Sequence, residues 1–178
     1  MSTKIQKDFT FLSSIHFENK FLLNFYEMVA LMSVEVDDVY EQNIAIERMN
    51  YFLTNQIEDS LFINEKDTEA LEKYKAAGMK TIVIPDDPYD QIIGHVLINK
   101  CNAIMEGRII VEEIIFGSKL SNLIKFNISC DETDDKFIGN HWWNDPNLSV
   151  KPKKKKDKIV KLFDQQNWET LELTWKRK

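Results

Sequence analysis

Glycine is scarce, with five residues in a chain of 178. No GxGxxG, GxxxxGK[ST] or GxSxG pattern occurs, which excludes the common phosphate-cradling loops and the nucleophile elbow. Cysteine is scarcer still. Cys101 and Cys130 form no CxxC pair and are too few for a disulfide scaffold, so both read as reduced thiols in a cytoplasm. The longest greasy segment, 21–34, contains Glu27 and is too short to span a bilayer, and the polar stretch 1–10 lacks the apolar core of a signal peptide. No membrane role is expected. His16, His95 and His141 are widely separated, with no HExxH and no zinc-type spacing, so neither a metal nor another cofactor is expected.

What is present is an uneven charge. The formal net charge of −6 divides into 13 basic and 25 acidic side chains over residues 1–150, against 10 basic and 4 acidic over 151–178. The chain reads as an acidic body with a basic tail. A hydrophobic content of 43% excludes a wholly disordered chain, and the length suits one domain. The abundance of Lys, Ile and Asn suits an AT-rich genome, such as that of a bacterium or a phage.

The periodicity predicts an α+β fold: a helical N-terminal part packed on a mixed sheet of about five strands, with a capped central helix over 88–106. A single domain, 1–178, is expected in three parts. The first, 1–78, is mainly helical. Ser14 caps a helix carrying Phe17, Phe21, Leu22, Phe25, Met28, Val29 and Met32, and Asp37-Asp38 opens a second with Ile44, Met49, Phe52, Leu53 and Ile57 inward. A third runs from Asp67 to a stop at Gly78. The second part, 79–150, holds the strand 80–84, then a helix with Asp87 as N-cap, Pro88 in its first turn and Gly107 as its stop. Two strand-like runs, 108–116 and 123–130, follow around Gly117-Ser118, and the polar stretch 131–149 closes this part. The third part, 151–178, is a lysine-rich linker and a hairpin of 159–163 with 171–175. The strand 82–84, the helix and the strand 109–116 are long enough to form one βαβ crossover.

Several clusters carry possible chemistry. Asp86, Asp87 and Asp90 with His95 lie where a strand ends and a helix begins, a common place for ligand sites. Their carboxylates suit Mg²⁺, with His95 as a general base, although capping and turn roles explain the same residues. Pro85-Asp86 after a strand opens a PD…(D/E)xK nuclease pattern, but the downstream ExK is missing at 111–114. Glu112 and Glu113 interrupt a greasy strand; on opposite faces, one is expected in solvent and the other beside a basic partner such as Arg108, Lys125 or Lys161. The acidic run 131–135 lacks the glycine and the glutamate of an EF-hand loop. Trp142 and Trp143 cannot face the same way, so one is expected to plug the core and the other to stay partly exposed as a contact surface. Lys153, Lys154, Lys155 and Lys156 with Trp175 make a basic, indole-bearing edge, which suits a protein partner or, through 151–178, nucleic acid.

The first functional expectation is a non-enzymatic accessory protein, of phage or mobile-element origin, that docks a partner complex, nucleic-acid-associated or not, through Trp142, Trp143, Lys153–Lys156 and Trp175. A small Mg²⁺-dependent hydrolase or nuclease using Asp86, Asp87, Asp90 and Glu112 or Glu113 is the second. The third is an oligomeric structural subunit built on the helices of residues 15–60. The sequence does not choose an oligomeric state.

Overall fold

A computed structural model describes residues 3–122, 124–131 and 134–151. The chain opens not with a helix but with two long strands, β1 (Thr3–Phe17) and β2 (Lys20–Val34), paired antiparallel along their whole length. The helix expected from Ile15 is thereby corrected, and the reason is physical. β2 is apolar on both faces: Leu22, Tyr26, Met28 and Met32 point inward, while Phe21, Leu23, Phe25, Val29 and Leu31 point outward. A strand greasy on both sides loses its period of two and meets a helical template by chance. The reversal at Glu18-Asn19 places both residues at positive φ (49° and 59°), the backbone of a two-residue hairpin turn, without the glycine that usually marks one.

After the hairpin come α1 (Val39–Tyr51), capped by the Asp38 carboxylate accepting from the Tyr40 N–H, and a π-helical turn over Phe52–Ile57. Then follow β3 (Leu61–Asn64), α2 (Thr68–Ala76), β4 (Thr81–Ile84), α3 (Asp90–Met105), β5 (Ile109–Ser118) and β6 (Lys125–Ser129). The segment beyond β6 contains two short 3₁₀ turns, 135–137 and 142–144. The expected strands 159–163 and 171–175 lie outside the described residues.

One curled, mixed sheet runs in the order β4-β3-β1-β2-β5-β6. It has six strands among the described residues, rather than about five, and the first part of the chain supplies three of them. β3 is parallel to β1 and β4 to β3, while β2–β5 and β5–β6 are antiparallel. α3 does join two strands that run the same way, β4 and β5. They are not neighbours, because β3, β1 and β2 lie between them. α3 thus spans the width of the sheet on one side, with α1 packed beside it.

The core lies between these helices and the inner sheet face. Phe11, Tyr26 and Phe116 stack across three strands, with ring centroids 5.2 and 5.4 Å apart. Ile93, Val96, Leu97, Cys101 and Ile104 of α3 close over them. Gly94 allows the closest approach, since a Cβ there would collide with Ile128 Cδ1 of β6. α3 stops where Glu106 (φ 53°) and Gly107 (φ 74°) turn left-handed. Among the described residues no helix is long and apolar enough to cross a membrane.

Candidate functional site

The carboxylates proposed for metal chemistry are built into separate places. Asp86 pairs with Lys136 at 2.7 Å, and that ammonium holds its carboxyl below the usual range. Asp87 does not cap α3. Its carboxylate accepts from Asn64 Nδ2 at 2.8 Å, its carbonyl accepts from the Tyr89 N–H, and the helix begins at Asp90 with Tyr89 as an N-cap lacking a side-chain bond. His95 stacks on Phe137 with ring centroids 5.0 Å apart.

Glu112 and Glu113 sit on the opposite side of the sheet from Asp90. A bulge opposite Leu31 and Met32 inserts one extra residue into β5, so the two glutamates line the same outer groove instead of facing opposite ways. Neither is buried. The partner of Glu112 is Lys4, whose ammonium lowers the carboxyl pKa, while Arg108 serves Glu41 and Glu106 and Lys125 serves Glu27. Among the described residues no group of three or more His, Cys, Asp or Glu side chains is placed to hold a metal ion.

Both indoles are sunk in the interior, with Trp142 3% and Trp143 2% exposed, which corrects the expectation that one stays at the surface. The 3₁₀ turn points the two rings nearly perpendicular (81°), and each finds an apolar wall and an acceptor. Trp142 Nε1 donates to the Val83 carbonyl at 2.8 Å, and Trp143 Nε1 to that of Phe137 at 3.2 Å. His141 stacks flat on Trp143 at 4.4 Å. Beneath them lies a residue that periodicity alone does not single out. Lys100 has no solvent exposure, and its ammonium donates to the carbonyls of Trp142, Asp145, Asn147 and Ser149. This cage straps residues 142–149 to α3. Lys153–Lys156 and Trp175 lie outside the described residues.

Two surfaces remain as candidates. The first is the outer face of β1, β2 and β5, which α1 and α3 do not cover. Leu12, Phe21 and Leu23 there are 44%, 47% and 66% exposed, and Phe25, Val29 and Ile115 are half-buried beside them. At one end this face runs into the groove of about 460 Å³ bounded by Ser33, Glu35, Glu112, Glu113 and Asp131. At the hairpin end Tyr74 of α2 packs against His16 and Phe21.

The second is a cleft of about 410 Å³ on the helical side, between the hairpin end, the start of α3 and the β5–β6 loop. Phe17, Leu22, Tyr89, Leu120 and Phe126 form its apolar walls. Its polar end is Asp90, 8% exposed, whose two carboxylate oxygens accept from Ser118 Oγ (2.9 Å) and Ser121 Oγ (2.7 Å). Asn24, also on the wall, accepts from the Leu120 N–H and so fastens the loop to β2. Next to it, Tyr26 is wholly buried, and its hydroxyl makes no hydrogen bond of good geometry among the described residues. Burial pushes that phenol well above its ordinary range; Asn24 opposes the shift and Asp90 adds to it.

No family model matches the sequence, and no curated protein matches it. A crystal structure of an uncharacterized protein from Wolinella succinogenes is similar at 11% identity and a TM-score of 0.51, over 73% of this chain and 99% of that one. At that identity the likeness concerns the fold alone.

Proposed function

We propose that the chain is a non-enzymatic accessory protein that docks a protein partner on the open face of β1, β2 and β5. The observation that carries this reading is the row Leu12, Phe21 and Leu23, large apolar side chains left exposed on a sheet face that α1 and α3 leave open and α2 meets only through Tyr74 at the hairpin end. Scattered apolar residues are ordinary on a surface, but a contiguous group on a flat face marks an interaction site. Burying one such aliphatic side chain in an interface is worth about 1.5–3 kcal/mol. The neighbouring carboxylates Glu35, Glu112, Glu113 and Asp131 select a partner with an apolar centre and a basic rim. The charge split of the sequence supports a second contact through residues 151–178 with an acidic or nucleic-acid-bearing part of the same complex. Trp142 and Trp143, buried beside α3, drop out of the contact surface.

The test compares tagged wild type with the double variant Leu12→Ser, Leu23→Ser in the native host. Both positions are exposed, so each change should alter stability by no more than about 0.5 kcal/mol. A defined partner that co-purifies with wild type, is lost from the folded double variant, and elutes earlier in salt when Glu112 and Glu113 become Gln supports the proposal. An identical set of co-purifying proteins for both chains overturns it. A wild-type dimer in light scattering that the double variant dissolves would assign the face to the structural-subunit reading instead.

A further inference from the structure

We propose that the cleft at the start of α3 is a binding site for a small organic ammonium ion with an apolar body, its charged head on Asp90. This inference is independent of the docking face, which lies on the other side of the sheet. Among the residues lining the cleft, Ile15, Phe17, Leu22 and Phe126 are apolar, Asn24, Gln91 and Ser121 are neutral, and Asp90 alone carries a charge. No lysine or arginine pairs with that carboxylate among the described residues. Instead Ser118 and Ser121 donate one hydroxyl each. An ionised carboxylate has roughly four lone-pair sites, so it retains acceptor capacity beyond those two bonds.

The α3 N-terminus does supply positive potential, but only about half an elementary charge against the full charge of Asp90, leaving the polar end of the cleft negative. A nearly buried carboxylate without a cationic partner is costly, and a ligand that brings the missing cation removes that cost. The walls set the rest of the ligand. Phe17 and Tyr89 meet edge to face at 5.4 Å and offer an aromatic side to an aryl or short alkyl group, with Tyr89 and Leu120 half-exposed at the rim. A cleft of about 410 Å³ takes a small molecule rather than a folded chain.

Phenethylamine, charged at pH 7, is the probe, with 2-phenylethanol and 3-phenylpropionate as neutral and anionic analogues of similar shape. Each is titrated into the ¹⁵N-labelled full chain, following amide shifts. Phenethylamine should bind saturably with a Kd of roughly 1 mM, as expected of a fragment that small. The shifts should centre on Phe17, Tyr89–Gln91 and Ser121. Its affinity should exceed that of the alcohol at least tenfold, and the propionate should not bind. Asp90→Asn should bring the amine down to the level of the alcohol. Should that variant fail to fold, the three-ligand comparison on wild type still decides. Equal affinity for amine and alcohol, no saturable shift, or shifts centred away from the cleft would overturn the inference.

Discussion

Lys100 and Cys101, adjacent on α3, show how far a side chain's behaviour depends on what covers it. The Lys100 ammonium has lost all contact with solvent and spreads its three protons over four carbonyls. Lys100→Met keeps most of the stem but leaves those carbonyls without their donor, a change expected to cost about 3 kcal/mol or more. Urea unfolding monitored by tryptophan emission would measure it, with a red-shifted native spectrum as Trp142 and Trp143 become wet. An unchanged midpoint would show that the strap holds without the lysine. Beside it, burial pushes the Cys101 thiol from its ordinary 9.0 up to about 12. Between those values the unfolded chain gives up a proton that the native protein keeps, so stability falls as pH rises. The slope approaches about 1.4 kcal/mol per pH unit for this one group. Tyr26, raised in the same direction, adds to the loss above pH 10. Urea midpoints should therefore correspond to at least about 2 kcal/mol less stability at pH 10.5 than at pH 8. A flat profile would mean the thiol and phenol are not sealed.

The elements differ in how plainly they announce themselves. α3 is legible because Ile93, Val96, Leu97, Cys101 and Ile104 face one way and Gly107 ends it, although its first residue is Asp90 rather than Pro88. Asp87 looked like a cap by residue type, but Asn64, 23 positions earlier, claims its carboxylate, and such long-range bonds leave no local trace. The β1–β2 hairpin is illegible for the opposite reason. Its second strand, β2, is apolar on both faces, and its turn uses Glu18-Asn19 where glycine would have signalled it. The cleft is legible only in part: the position of Asp90 at a strand–helix junction suggests a metal, while Ser118 and Ser121, which hold it, come from the far end of β5 and the loop after it. α3 and β6 are pressed together at Gly94, and Gly94→Ala forces Ile128 to move. Overpacking of that kind costs about 1–3 kcal/mol. Chemical denaturation should show the loss, and a more stable variant would mean that β6 yields freely.

Across the whole molecule, charge and topology set the remaining properties. Residues 1–150 carry 13 basic and 25 acidic side chains. The ion pairs Lys4–Glu112, Lys125–Glu27 and Lys136–Asp86 are solvent-exposed, and pairs of that kind contribute little to stability. Self-repulsion in the acidic body should outweigh them, so the thermal midpoint should rise between low salt and 0.5 M NaCl as screening sets in. A fall would show that the pairs dominate. The sheet order was beyond sequence reading, because β3 and the β1–β2 hairpin separate β4 from β5 without altering the local pattern of either.

The carbonyl cage has a consequence for how the chain is made. The carbonyls that receive the Lys100 ammonium lie 42 to 49 residues further along. At ribosomal speed they follow it by roughly 2–10 s. During that interval the Lys100 ammonium lacks the four carbonyls that later enclose it, so its burial waits on the strap.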